Sequence, residues 1–117
     1  MPYGFIDATE LETLDAYFGS TTLGPATWYV GLFTTMPNDA GASGVEVSGG
    51  SYARVAVTNN NTNFPSANPK ITGTAVTFPQ ATGSWGTVVG YGFFTASSGG
   101  TAKFVGKLLS GYKTVSA

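Results

Sequence analysis

Short stretches of alternating apolar and polar or small residues run along most of this chain. The longest extended stretch is residues 26–33 (ATWYVGLF), whose two faces are both mostly apolar, so we expect a central strand covered on both sides. Residues 85–95 and 101–109 predict two further strands, joined by a hairpin turn, SSGG, at 97–100. The pattern therefore predicts a mainly β fold of roughly five to seven short strands, arranged as a β-sandwich or jelly-roll.

Helical spacing of apolar residues occurs at residues 7–18, before Gly19. Thr9 and Glu12 fit a capping box at the start of this short helix. The apolar positions fall on one stripe, formed by Leu11, Leu14 and Phe18. Two interpretations stay open: the stripe packs on the protein's own sheet, or it docks on a neighbouring subunit.

An extended, apolar N-terminal arm precedes the helix, and its large side chains are Tyr3, Phe5 and Ile6. Such a terminus is costly to leave in water, so these three residues join the helix stripe as candidate interface residues. At 117 residues, one structural domain is expected. Within it, residues 1–24 form the arm and helix, and residues 25–117 form the β-sandwich.

Residues 46–57 (EVSGGSYARVAV) combine a glycine-rich break with an apolar run that contains the only arginine of the chain, Arg54. The SGGS break at 48–51 predicts a turn into a core strand. An arginine in an apolar run needs a carboxylate partner. Glu46 could supply it within the chain, or an acid could supply it from a neighbouring subunit, so Arg54 is also a candidate interface residue.

Composition argues against a reaction centre. The chain has no histidine and no cysteine, which excludes the common catalytic triads and histidine or thiolate metal sites. Four of the six acids lie in the predicted helix, which leaves few carboxylates for a glycosidase pair. We therefore predict a protein that is not an enzyme, with no catalytic residue, cofactor or metal site.

Charge and hydropathy narrow the possible partners. Charged residues make up 9% of the chain, the net charge is −1, and the basic residues are scattered, so nucleic-acid binding is not expected. No apolar run is long enough to cross a membrane, and the N-terminus lacks a signal-peptide pattern. The low charge favours a surface that is partly covered in an assembly, and the alternative is a neutral domain of the secreted type. The large aromatic residues are expected in the core rather than in a sugar-stacking platform: Trp28, Trp85, Tyr91, Phe93 and Phe94.

Several motifs resemble a family of small tailed-bacteriophage virion proteins that are often labelled phage tail fibre proteins. They are WYVGLFTTMPNDAG at 28–41, EVSGGSYAR at 46–54, VTFPQATGSWGT at 76–87, and the closing GYGFF and SSGG. The similarity covers roughly residues 25–115. It implies a non-enzymatic structural protein of the virion, made in the host cytoplasm. The implied partners are the phage major capsid protein or tail proteins, and the protein itself as a homo-oligomer.

The position in the particle has two interpretations. The sequence has no collagen-like triplets, heptads or long repeats of a fibre shaft, which favours a compact capsid decoration, or cement, protein that stabilises the shell. The alternative is a tail-tip or fibre-associated protein whose loops at 34–44 and 58–70 contact the host receptor. Similar proteins continue past the segment that matches residues 113–115. We therefore expect a naturally short member, a truncated form, or a strand supplied by a neighbour.

Overall fold

A computed structural model of the chain describes residues 4–19, 24–65, 75–108 and 111–117. Within these residues the elements, in chain order, are β1 (Gly4–Phe5), α1 (Asp7–Phe18), β2 (Thr27–Thr35), β3 (Val45–Glu46), β4 (Val55–Thr58), β5 (Gly86–Val88), β6 (Gly90–Phe94), β7 (Phe104–Lys107) and β8 (Lys113–Val115). The fold is mainly β, with antiparallel sheets and one short helix. The predicted fold class is confirmed.

The large sheet is built around β2. Its strands follow the order β1-β7-β6-β2-β3, and β4 also pairs with β2. β4 pairs with the first half of β2, and β3 pairs with its last residues along the same edge. β2 is therefore the central strand that its apolar faces predicted. β5 and β8 form a separate two-stranded sheet.

Two groups of buried residues form the core, on opposite faces of β2 because Phe33 and Leu32 are neighbours in a strand. Phe33 lies in the first group, which comprises Ile6, Phe33, Phe94, Ala102 and Val105. Leu32 packs against the second group, which comprises Val47, Trp85 and Val88. Val88 belongs to β5 and Val115 of β8 packs beside it, so the small sheet covers part of one face of the large sheet.

The helix has the predicted bounds, but its cap differs from the prediction. Ile6 is the N-cap residue and makes no side-chain capping bond. Thr9 lies inside the first turn, is buried, and donates a hydrogen bond to the carbonyl of Lys103 at 2.8 Å. The predicted capping box is therefore wrong, because Thr9 ties the helix to the strand region instead of closing the helix end.

Two strand predictions change. The extended stretch at 85–95 is divided at Val89, so that β5 joins the small sheet and β6 joins the large one. Residues 75–78, predicted as a short strand, form none. Gly92 in β6 makes room for the ring of Phe33, since a Cβ there would lie 2.6 Å from that ring.

The arm is part of the large sheet from residue 4 onward. β1 pairs with β7 at that sheet's edge, and Ile6 is buried in the first core group. The division into residues 1–24 and 25–117 within one structural domain stays a prediction. Among the described residues, no helix is long and apolar enough to span a bilayer.

Candidate functional site: a closed polar network and two open apolar surfaces

A polar network formed by Glu46, Tyr52 and Arg54 fills a gap in the hydrogen-bond ladder along one edge of β2. Neither β3 nor β4 pairs with Leu32, and its N–H donates instead to the hydroxyl of Tyr52 at 2.9 Å. The same hydroxyl donates to Oε2 of Glu46 at 2.6 Å. Gly31 provides the room, because a Cβ on it would lie 2.8 Å from Oε2 of Glu46. A partly buried backbone donor is satisfied in this way where the ladder is interrupted.

Arg54 completes the network. Its Nε donates to Oε2 of Glu46 at 2.8 Å, and its Nη2 lies 2.7 Å from Oε1 of the same carboxylate. Its Nη1 donates to the carbonyls of Ala96 and Gly99 in the loop between β6 and β7. The guanidinium also stacks on the ring of Phe94 at 3.4 Å, and the side chain is 5% exposed. Of the two carboxylate partners left open by the sequence, the one within the chain is correct.

Glu46 and Tyr52, the two acidic groups of the network, have shifted pKa values. Burial raises the pKa of Glu46, but the hydrogen bonds from Arg54 and Tyr52 and the positive charge of Arg54 outweigh burial, so the net pKa lies below the usual range. Burial and the hydrogen bond to Glu46 raise the pKa of the Tyr52 hydroxyl above its ordinary value. The network is therefore a carboxylate, a neutral phenol and a guanidinium at neutral pH.

Two of the motifs that carry the resemblance, EVSGGSYAR at 46–54 and VTFPQATGSWGT at 76–87, lie against each other. Gly49, Gly50 and Ser51 take left-handed backbone conformations, which explains the glycine pair in the turn. The carbonyl of Gly50 accepts hydrogen bonds from Nε1 of Trp85 at 2.8 Å and from the backbone N–H of Thr82 at 2.9 Å. Tyr52 stacks on the ring of Phe78. The paired motifs therefore form a folding unit around Tyr52.

The first open surface is the outer face of α1, which we define as Leu11, Leu14 and Phe18. The opposite side of the helix faces the β domain through Thr9 and through an ion pair between Glu12 and Lys103 at 2.5 Å. Leu11 and Leu14 are more than half exposed and Phe18 is 88% exposed. The interpretation that this stripe packs on the protein's own sheet is wrong, because Thr9 and Glu12 hold the helix with its stripe outward.

The second open surface is a row of aromatic rings across the large sheet. We define this aromatic groove as Phe5, Trp28, Phe64, Tyr91, Phe93 and Phe104. Strand register places Phe5, Phe104 and Phe93 side by side on β1, β7 and β6. The rings of Trp28 meet those of Phe93 and Phe104 edge to face, with centroids 6.0 and 5.7 Å apart. Trp85 and Phe94 are buried as expected, but Trp28, Tyr91 and Phe93 are not.

The groove gives β7 two apolar faces. Val105 is buried in the first core group, whereas Phe104 lies half-buried on the groove face. Lys103, which precedes β7, is ion-paired with Glu12. Sequence reasoning missed this surface because both faces of β7 carry large apolar residues.

Three carboxylates meet near the start of α1. Oxygens of Asp7, Glu10 and Asp39 lie within 4.8 Å of one another, with Asp7 and Glu10 exposed. Acidic side chains are favoured at the positive end of a helix dipole without any bound ion. The sequence placed Asp7 and Glu10 there but did not bring Asp39 to them.

A family model of podophage fibers matches nearly the whole chain. The match covers residues 4–117, and the model describes the podophage GP4 fiber I protein, gp80. The chain belongs to this fiber protein family. A search of curated proteins finds no match.

Membership of the fiber I family makes this chain a structural protein of a bacteriophage virion, as the resemblance implied. Association with other tail or virion proteins follows from that role at a general level.

The predicted interface residues of this fiber-family chain differ in their exposure to solvent. Ile6 is 2% exposed and belongs to the chain's own core, and Arg54 is occupied by Glu46 and two backbone carbonyls. Phe5 is 46% exposed at one end of the aromatic groove. The three exposed residues of the outer face of α1 are Leu11, Leu14 and Phe18. Tyr3 lies outside the described residues.

Proposed function

We propose that this protein is a non-enzymatic, fiber-associated component of the phage tail, attached to a neighbouring virion protein through the outer face of α1. The observation that carries the proposal is the exposure of Leu11, Leu14 and Phe18 on a helix whose other side is tied down. Large apolar side chains clustered on a surface mark interaction sites. The family match supports placing the partner in the fiber.

The chemistry of the helix describes the partner. Residues spaced at i, i+3 and i+7 are the anchors of an amphipathic helix that lies in an apolar groove. α1 also carries Asp7, Glu10, Glu12 and Asp15. The partner groove is therefore apolar at its centre and basic at its rim, since acidic flanks are attracted to positive charge.

The experiment compares particles that carry altered proteins. In a Leu11→Ser/Phe18→Ser double variant, incorporation into assembled particles falls by at least about tenfold, because two apolar anchors are lost. Tyr112→Ser is the matched control, since Tyr112 is an exposed aromatic residue on the segment leading into β8. Incorporation is measured by quantitative mass spectrometry of purified particles. Normal incorporation of the double variant would refute attachment through this face.

Capsid decoration is the second candidate, and one observation favours it: the sequence has no repeat of the kind that builds a fibre shaft. Copy number separates the two positions. A fiber component is present at a small number set by tail symmetry, whereas a decoration protein approaches the number of major capsid subunits. A decoration protein also raises the temperature at which capsids rupture, because it binds only the assembled shell.

Homo-oligomerisation is part of the same proposal. Light scattering of the purified protein at increasing concentration tests it. If the mass stays that of a monomer at every concentration, the binding partner of the outer face of α1 is a different virion protein.

A further inference from the structure

We propose that the aromatic groove binds a neutral oligosaccharide chain. This site is separate from the outer face of α1 and does not depend on the proposed attachment. The groove is lined by rings from four elements of one sheet face and from the loop that contains Phe64. The proposed attachment through Leu11, Leu14 and Phe18 uses none of these residues.

The floor suits the apolar faces of sugar rings. Phe5 meets Phe104 edge to face at 4.7 Å, and the contacts continue through Trp28 and Phe93 to Tyr91. Phe5 is 46% and Tyr91 37% exposed, so ring surface remains open to solvent at both ends. The C–H faces of pyranose rings pack on such surfaces, and the rings lose little conformational freedom because they hold one another in place.

The rim suits sugar hydroxyls. The wall next to α1 carries the ion pair of Glu12 and Lys103 with the hydroxyl residues Thr13 and Thr95. The other end is bordered by Asn59, whose amide nitrogen donates to the carbonyl of Pro25. Carboxylate, ammonium, hydroxyl and amide groups together offer both donors and acceptors. An apolar floor with a few polar groups at its border is typical of small-molecule sites.

Charge favours a neutral occupant. Glu12 and Lys103 neutralise each other across the wall at 2.5 Å, so the groove attracts neither anions nor cations strongly. A second copy that placed its own acidic α1 there would gain no net attraction, because Lys103 is already paired with Glu12. A neutral, hydroxyl-rich chain needs no charge attraction to bind.

The size of the groove favours a chain over a single sugar. Two cavities of about 640 and 560 Å³ adjoin, because both are lined by Phe5, Gly24, Trp28 and Phe104. Each alone lies within the range of about 300–1,000 Å³ that is usual for small-ligand sites. Together they extend from Tyr17 on α1 to Tyr91 on β6, which leaves room for several linked sugar units.

The two tryptophans of the chain provide a built-in test. Trp28 lines both cavities, whereas Trp85 is buried in the second core group and donates its N–H to Gly50. A printed array of neutral and anionic oligosaccharides identifies the best neutral binder, which is then titrated by calorimetry and tryptophan fluorescence. We expect saturable binding that alters the fluorescence of Trp28 and protects it from iodide quenching, while Trp85 stays unchanged.

Two substitutions of Trp28 separate ring stacking from folding. Trp28→Ala weakens binding by about tenfold or more, because one stacking surface is lost. Trp28→Phe keeps an aromatic face, so calorimetric binding persists while the fluorescence response disappears. If Trp28→Ala does not fold, Tyr91→Ser and Asn59→Ala replace it, with the same expected loss of affinity. Tyr112→Ser and the Leu11→Ser/Phe18→Ser double variant bind normally.

Three results would overturn the proposal. One is an array on which no neutral oligosaccharide binds, or only anionic glycans do. Another is binding that survives Trp28→Ala, or Tyr91→Ser and Asn59→Ala, unchanged. The third is wild-type self-association that Trp28→Ala abolishes, which would make the groove a subunit interface. Loss of particle incorporation in the α1 variants bears only on the attachment proposal, so the two fail independently.

Discussion

The polar network around Arg54 and the outer face of α1 were both candidate interfaces, and they differ in how the chain completes them. Arg54 finds a carboxylate, two carbonyls and an aromatic ring within the same molecule. Leu11, Leu14 and Phe18 find no such cover among the residues that the structure describes, and their side chains are exposed. A side chain that is costly to expose marks an assembly site only where the fold leaves it uncovered.

The largest effect in this comparison comes from removing Arg54. Arg54→Met lowers the free energy of unfolding by about 3 kcal/mol, because Glu46 is left as a partly buried charge and the loop carbonyls lose their donor. Urea denaturation measures the change. The conservative Arg54→Lys also destabilises the protein, since an ammonium group cannot reproduce the paired hydrogen bonds of the planar guanidinium to the carboxylate. Lys113→Met, at an exposed lysine, is the control. Wild-type stability of Arg54→Met would show that the network contributes little to folding.

A second variant tests the repair of the β2 edge. Tyr52→Phe removes the hydroxyl between Leu32 and Glu46, which leaves the Leu32 N–H without its acceptor. We expect a loss of about 2 kcal/mol, in the range for an unsatisfied buried donor. Amide hydrogen exchange at Leu32 speeds up in step with this loss. Tyr112→Phe, on an exposed ring, leaves both quantities unchanged. An unaltered exchange rate at Leu32 would contradict the assigned hydrogen bond.

The network also has a pH signature. The pKa of Glu46 is lowered in the folded state, so its contribution is complete above the unfolded value of about 4.3 and is lost as pH falls through the folded pKa. The pKa of Tyr52 is raised, so its contribution is complete below about pH 10 and is lost as pH rises further.

Chemical denaturation as a function of pH checks both limbs. The Glu46→Gln variant lacks the loss of stability that the Glu46 carboxylate causes in wild type at low pH. The Tyr52→Phe variant lacks the loss that the Tyr52 hydroxyl causes at high pH. Parallel curves for wild type and both variants would mean that neither group changes its pKa on folding.

The smallest expected effect on stability comes from substitutions on the outer face of α1. Leu11→Ser/Phe18→Ser changes the free energy of unfolding by no more than about 0.5 kcal/mol, since surface substitutions away from buried contacts are near neutral. Thermal unfolding of the purified protein measures it. Ile6→Ala in the same segment is the contrast, with a loss of about 3 kcal/mol from the core. Strong destabilisation by the double variant would mean that the stripe packs on the chain itself.

Features that depend on local residue spacing can be predicted from the sequence. The helix at 7–18, the central strand at 26–33 and the turn at 48–51 all follow from periodicity and glycine placement. Glu46 could be proposed as the partner of Arg54 because the turn between them returns the chain on itself. The candidate surfaces could not be read in this way, because exposure of Phe18 or Trp28 depends on what packs above it.

The sequence alone determined three features of this protein. The chain is mainly β with one short amphipathic helix, it has no histidine or cysteine, and its arginine requires a carboxylate. Only the tertiary structure decided which apolar face stays open. Hydrogen bonding of Thr9 and pairing of Glu12 with Lys103 turn the helix stripe outward, and the register of β1, β7 and β6 aligns the aromatic groove. The physical reason is that burial depends on contacts between residues far apart in the chain, whereas periodicity reports only which side chains share a face.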